Sequence, residues 1–232
     1  MTDYARIYDT QAALYDALVA REDHAGNLLP ALRALLPHDA AEVVETGAGT
    51  GRLTRMLAPH VRSVRAFERA SAMLDVARQR LADDGAHNVT LALASHDRLP
   101  VDDASADFAL EGWAFGHAVS WNPTGWRDEV SAHVAELART VRPGGTVVLI
   151  ETQGTGVETP FAGGHGLEPF HAFLVETLGF AHQCVRTDYR FESVEEAAGL
   201  LGGFFGERMA GRVRDQQATV WPECTGLYGR RV

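Results

Sequence analysis

Cysteine is nearly absent. The chain has two in 232 residues, Cys184 and Cys224, with no C-x-x-C spacing, so neither a zinc knuckle nor a paired redox centre is expected and both should be reduced thiols. Basic charge is also short. Against 31 acidic side chains stand 21 Lys and Arg, a formal net charge of −10. A general nucleic-acid binder needs a basic surface to displace counterions from phosphates, so no nucleic acid is expected as partner and a small-molecule substrate is. No apolar run approaches the roughly 18 residues of a membrane span, which leaves no membrane partner to expect. The first residues, Met1 to Arg6, lack a basic stretch followed by an apolar one, and the expected address is cytoplasmic. No metal is expected either, because no ligand cluster with recognisable spacing stands out. There are no internal repeats and no low-complexity tract.

What is present is ordinary globular composition, 46% hydrophobic and 22% charged, at a length suited to one α/β domain. The expectation is a single domain over 1–232, with a helical N-terminal lid (1–40), a cofactor-binding core (41–151) and a C-terminal completion (152–232). Between Val43 and Glu151 short β-branched runs alternate with helical patterns, which predicts βαβ units and a mostly parallel sheet. The predicted strands are Glu42 to Glu45, Val61 to Phe67, Val89 to Leu93, Asp107 to Leu110 and Thr146 to Ile150. Met73, Leu74, Ala77 and Leu81 recur at helical spacing, as do Trp126, Val130, Val134, Leu137 and Val141. Asn122-Pro123 reads as a helix start, and Arg142-Pro143-Gly144-Gly145 as a helix stop. After residue 151 the pattern predicts a glycine-rich loop (Gly154, Gly156, Gly163, Gly164, Gly166) and a helix from Phe170 to Leu178. Strands then follow at Ala181 to Phe191 and Ala218 to Tyr228, with two helices between them. Pro222 inside the last run suggests a bulge or an edge.

The turn Glu45-Thr46-Gly47-Ala48-Gly49-Thr50-Gly51 lies between a strand and a helix, where missing Cβ atoms let a ligand approach exposed amides. It is not the dinucleotide fingerprint, since Arg52 stands where the third glycine belongs, and no Gly-Lys-Ser/Thr triplet makes it a phosphate loop. Glu68 ends the second strand, where an acidic side chain can accept from both hydroxyls of a ribose, the alternative being a solvated charge at a helix start.

Taken together, these stretches resemble the class I S-adenosylmethionine-dependent methyltransferases. Val43 to Gly51 resembles the family's first motif, Phe67 to Leu74 its acidic strand end and following helix, Leu99-Pro100 with Asp107 to Leu110 its third stretch, and Leu137 to Gly145 its approach to the fifth strand. The resemblance implies a Rossmann-like, seven-stranded, mostly parallel sheet with an antiparallel last strand and helices on both faces. It implies that Glu45, Thr46, Gly47, Ala48, Gly49 and Gly51 surround the methionine part of S-adenosylmethionine, Glu68 the ribose, and Arg69 and Met73 one side of the adenine. Ser95, His96 and Asp97 would meet the adenine edge, and Glu111, Gly112 and Trp113 would lie by the sulfonium. Tyr15, in a Tyr-Asp pair, becomes a lid contact. S-adenosylhomocysteine would be the product.

Methyl transfer from a sulfonium starts from an activated donor, so alignment and desolvation supply much of the acceleration and a base is optional. His117, in the loop after the fourth strand, is the best-placed base among the histidines, ahead of His165 and His171; the other reading of it is a packing residue. Trp113, Phe115 and Trp121 form either an aromatic acceptor wall or core. No Asn-Pro-Pro-Tyr type motif follows the fourth strand, which disfavours the nucleic-acid and protein-glutamine acceptors. Two rival readings stay open at this point, a nicotinamide-dependent oxidoreductase and a non-catalytic S-adenosylmethionine-binding protein. The acceptor, the atom methylated and the oligomeric state stay open too.

Overall fold

The computed structural model describes residues 10–161 and 166–232; His165, Gly163, Gly164 and the first nine residues of the expected lid lie outside the described residues. Seven strands form one sheet: β1 (Glu42–Thr46), β2 (Ser63–Glu68), β3 (Val89–Leu93), β4 (Ala106–Gly112), β5 (Val141–Thr155), β6 (Ala181–Arg186) and β7 (Glu223–Arg231). Their order is β3-β2-β1-β4-β5-β7-β6. β1 to β5 pair in parallel, while β7 inserts between β5 and β6 and runs antiparallel to both. Strand order reverses between β1 and β4, and that switch point is where open α/β sheets bind ligands beyond the carboxyl ends of their strands.

Alternation along the strands divides the core in two. On one face Val44, Ala109, Val147 and Leu149 pack with Trp126, Val130, Val134 and Leu137 of α5 (Trp126–Thr140) and with Phe170 and Leu174. On the other, Val43, Phe108, Leu110, Val148 and Ile150 pack with Leu28 and Leu32 of α2 (Leu28–Arg33) and with Leu53 and Leu57 of α3 (Arg52–Leu57). α4 (Ser71–Asp83) buries Met73, Leu74, Ala77 and Leu81, the four positions its sequence spacing predicts. A third cluster joins Leu18 of α1 (Ala12–Val19) to α7 (Val194–Phe205) and α8 (Glu207–Gln216) through Ala198, Leu201, Phe204, Ala210 and Val213. Gly202 is what lets α7 and α8 approach, since a Cβ there would stand 2.6 Å from that of Ala210.

Several expectations are corrected. Asn122 does not start the long helix. It ends a single helical turn, Ala118–Trp121, and its side chain accepts from Gly125 N (3.1 Å) and donates to Glu129 (2.8 Å), so the helix begins at Trp126. β5 does not end at Ile150. It runs on to Thr155 because β7 offers it a partner, and Gly154, expected in a loop, pairs with Cys224 across a bulge. The expected strand from Ala181 to Phe191 is two pieces: β6 stops at Arg186, and Tyr189–Arg190 makes a separate ribbon with Val220–Trp221. Pro222 falls between that ribbon and β7, outside both, as its missing N–H requires. The helix near Phe170 is Glu168–Ala172 (α6), which widens into a π turn over Phe173–Thr177.

Candidate active site

The first cavity opens at the switch point. After β1 the chain turns through Gly47, Gly49 and Gly51 with φ of +67°, +56° and +84°, a left-handed geometry that costs glycine little. Ala48 N donates to Phe67 O (3.0 Å), which ties the turn to β2. A Cβ on Gly47 would stand 3.0 Å from Ala114 Cβ and 3.1 Å from His96 Cε1, so the turn leaves a cradle that any side chain would fill. Glu68 closes β2. Its Oε1 accepts from Arg69 N (2.8 Å) and Ala70 N (2.9 Å), and its Oε2 from Gly49 N (3.0 Å). The carboxylate is thereby aimed across the mouth of the cradle.

Tyr15, Gly47, Gly49, Glu68, Arg69 and Met73 form one side of this cavity. His96, Gly112, Trp113, Ala114, His117 and Trp121 form the other. Ten of these twelve were expected from the sequence; Ala114 was not, and Trp121 was read as wall or core. Trp121 is wall. It is 45% exposed, stacks on His117 (centroids 4.8 Å apart) and carries the Arg69 guanidinium 5.0 Å above its ring. Phe115, by contrast, is core at 1% exposure. Trp113 turns back from the end of β4 with φ of +55°, an outlier for a bulky residue, and the Arg52 guanidinium lies 4.5 Å over its ring.

The remaining expected residues stand behind the wall or away from it. Thr46 is buried and its hydroxyl holds His96 Nδ1 at 2.8 Å. Gly51 caps α3 and packs against Ala77 of α4, where a Cβ would meet the alanine's at 3.2 Å. Glu45 faces the protein interior, accepting from Thr54 Oγ1 at 2.6 Å. Glu111 is fully buried beneath the loop after β4, where it accepts from Ala114 N at 3.0 Å. Ser95 and Asp97 are exposed, with Ser95 bridged to Arg98. His171, the weaker base candidate, is buried between Tyr228 Oη (2.7 Å) and Thr152 O (3.0 Å).

A second cavity of about 520 Å³ shares Tyr15, Trp113 and His117 with the first. Leu18, Val19, Val119, Phe204, Phe205 and Met209 make its apolar walls. Set into them are Glu22, Arg52, Glu151 and Glu223. Arg52 pairs with Glu22 at 2.7 Å, and Glu22 also accepts from Thr187 Oγ1 at 3.0 Å. Sequence reading singled out none of the four as site residues. They come from positions 22, 52, 151 and 223, and the only available signal was Glu151's place at the carboxyl side of a central strand.

Burial controls the charges here. Desolvation, reinforced by the Arg69 guanidinium, lowers the His117 imidazole to about 4, so the ring is neutral near pH 7 and its cation is disfavoured. Glu45 is pushed up to about 8, by desolvation first, against the opposing hydrogen bond from Thr54. A carboxyl raised in the folded state contributes stability that is whole below the ordinary value of 4.5 and is lost as pH rises towards 8. Glu45→Gln should therefore gain on the native protein between those values, by about 3 kcal/mol in total after discounting for relaxation, in urea unfolding at pH 5 and pH 9. A difference that does not change with pH would mean that Glu45 is charged in the fold.

Residues 44–149 match a family model described as methyltransferase domain. A malonyl-[acyl-carrier protein] O-methyltransferase of Serratia marcescens is 32% identical over 152 residues, covering 66% of this chain and 53% of that protein. The chain spans about half the length of the curated relatives it matches. Among solved structures, the YcgJ protein of Bacillus subtilis aligns with a TM-score of 0.60 at 17% identity, over 89% of this chain and 97% of the other. A SAM-dependent methyltransferase of Aquifex aeolicus aligns with a TM-score of 0.53 at 16% identity, over 99% and 94%. At those identities the likeness is one of fold, and an antiparallel β7 between β5 and β6 is also what separates this sheet from the dinucleotide-binding order. The glycine cradle, the acid at the end of β2, the sheet order and the matched model agree: residues 44–149 form a methyltransferase domain, and the chain is similar to the class I S-adenosylmethionine-dependent methyltransferases.

Proposed function

We propose that this protein transfers a methyl group from S-adenosylmethionine to a small-molecule acceptor held in the second cavity. The observation that carries this reading is the meeting of the two cavities at Tyr15, Trp113 and His117, so that a donor in one faces an acceptor in the other. When bound, the cofactor supplies a methyl group already activated for in-line displacement. The chain's own residues do the rest. Glu68 accepts from the ribose hydroxyls, Arg69 and Met73 flank the adenine, and the amides around Gly47 and Gly49 receive the methionine part. Thr46, Ala48, Gly51 and Glu45 hold that turn from behind, and Glu111 holds the loop that carries Trp113. Ser95 and Asp97 are left as rim positions beside His96.

The apolar walls exclude water from the junction, which favours displacement of a cationic leaving group that becomes neutral. His117 fits a wall residue better than a base, because an imidazole held near 4 keeps an abstracted proton poorly at neutral pH. A cytoplasmic address belongs to the same proposal and is supported by two cysteines that stand as thiols. No described helix is long and apolar enough to cross a membrane.

Calorimetric titration with S-adenosylmethionine, S-adenosylhomocysteine and NADH tests the cofactor half, and S-adenosylhomocysteine release across an acceptor panel tests the transfer. Saturable binding of the first two with no response to NADH is expected. Binding without turnover on any acceptor would favour a non-catalytic cofactor-binding protein.

One observation favours a second reading of the acceptor. The Serratia relative's name specifies a malonyl acceptor, and Arg52 Nη2 is buried in this cavity without a hydrogen-bond partner. An acidic acceptor would supply one.

A further inference from the structure

Among the described residues, the second cavity has more carboxyl groups on its walls than the one guanidinium there can balance. Arg52 is already paired with Glu22. Glu151 and Glu223, at 3% and 2% exposure, remain on the wall of an otherwise apolar space, and Glu223 Oε2 is buried with no hydrogen-bond partner. An anionic acceptor would have to enter against these groups. Burial pushes Glu223 up to about 8, desolvation being the first cause and the Glu22 charge the next, and a cation beside it would draw the group towards its charged form.

Glu151 is also not alone. It stands on β5, its Oε1 accepts from Gly116 N at 2.7 Å, and behind it on β4 lies the fully buried Glu111. The two carboxyl groups lie within each other's electrostatic reach, and two like charges so placed in a buried site favour keeping one of the pair protonated. Desolvation raises both, and Glu151's proximity raises Glu111 further. Glu111 lines neither of these two cavities, whereas Glu151 opens onto the second one with Gly116 and His117, the latter shared with the first cavity. Such a pair is a proton reservoir facing the place where an acceptor's nucleophile must sit. Of the other ionisable groups on this wall, Glu223 has Oε1 taken by Thr152, Tyr189 has its phenol pushed upward by burial, and three more do not serve. His117 disfavours its cation, Glu22 is held by Arg52 and Thr187, and Tyr15 has its phenol pushed upward by burial.

Resting on the methyl-transfer reading above, we propose that the second cavity selects an apolar amine and that Glu151, backed by Glu111, is the group that pairs with its ammonium and takes its proton. The ammonium gives one proton to Glu151 and becomes a neutral amine. The nitrogen lone pair then forms the N–CH₃ bond while the S–CH₃ bond breaks, its electron pair staying on sulfur as the thioether and the positive charge passing to the methylated nitrogen. Leu18, Phe204, Phe205 and Met209 hold the apolar body of the substrate.

Three probes that share one indole ring and differ in the polar end test this: tryptamine, tryptophol and indole-3-propionate, titrated calorimetrically into the protein saturated with S-adenosylhomocysteine. Failure of S-adenosylhomocysteine itself to bind would sink the methyl-transfer reading, and is seen before any indole is added. With that binding in place, tryptamine is expected to bind at least tenfold tighter than indole-3-propionate, with tryptophol between them. Equal affinities overturn the amine proposal, and tighter indole-3-propionate overturns it in favour of an acid seated on Arg52. Glu151→Gln, whose amide oxygen still accepts from Gly116 N, should lose the preference for tryptamine over tryptophol. Its thermal melt is the folding control, and a folded variant that keeps the preference removes Glu151 from the role. Should that variant not fold, the comparison of the three probes on the native protein still decides the amine proposal.

Discussion

Glu68→Ala is expected to weaken S-adenosylhomocysteine binding by about 100-fold or more, because hydrogen bonds to a charged acceptor contribute about 1.5–3 kcal/mol each and a ribose offers two hydroxyls. The same carboxylate also takes three backbone amides, those of Gly49, Arg69 and Ala70. Loss of binding in the alanine variant therefore has two sources, the ligand contact and a loosened turn. Glu68→Gln separates them. Its amide oxygen can still take the amides of Arg69 and Ala70, but it has no second acceptor and no charge for the ribose. Binding by calorimetry should fall by at least tenfold in Glu68→Gln, while its melting temperature, which reports the lost Gly49 N contact at this buried position, should fall by less than that of Glu68→Ala, which loses all three amides. A native affinity in Glu68→Gln would show that Glu68 only braces the turn.

Gly47→Val should have an effect of similar size for a different reason. The backbone at Gly47 has φ of +67°, which costs a non-glycine residue roughly 1–2 kcal/mol. Its Cβ would also stand 3.0 Å from that of Ala114 and 3.1 Å from His96 Cε1, and the two valine methyls would extend further into the cradle. Gly85 supplies the control. It has the same sign of φ, +66°, but nothing within 4 Å of a built Cβ. Gly85→Val should lose stability by backbone strain alone and keep its affinity for S-adenosylhomocysteine, whereas Gly47→Val should lose affinity by more than tenfold beyond its loss of stability. If both variants bind equally well, the cradle is not where the cofactor lies.

Both predictions rest on features that residue type and spacing make legible. The turn from Glu45 to Gly51, the acid at the end of β2 and the buried stripe Met73, Leu74, Ala77 and Leu81 are local. In each, a few neighbouring positions decide the conformation. Chirality makes glycine the residue for φ near +60°, and helix periodicity decides which face is buried. The predicted third strand has the observed bounds of β3, Val89–Leu93, because five apolar and β-branched residues between polar turns leave little alternative.

The failures share a cause as well. Asn122-Pro123 has good starting chemistry, yet the turn to Gly125 takes up Asn122 and the helix begins later. β5 outruns its apolar stretch because β7, some 70 residues on, lies alongside it. Glu45 and Glu111 match motif positions but face inward, since which way a strand-end side chain points depends on what packs beneath it. The place of His117 in its loop suggests a base, and only the surrounding protein, through burial and the Arg69 guanidinium, shows that its cation is disfavoured.

The sequence by itself determined that this is a βαβ protein with a glycine turn after β1 and an acid at the end of β2, because each of those devices is written in adjacent residues. Tertiary structure alone decided the second cavity, which gathers α1, α3, the loop after β4, the end of β5, α7, α8 and β7 around one space. No single stretch of sequence specifies that space, so its balance of carboxyl groups against one guanidinium exists only once distant residues are packed together and water is excluded between them, where a charge must find a partner or give up its ionisation.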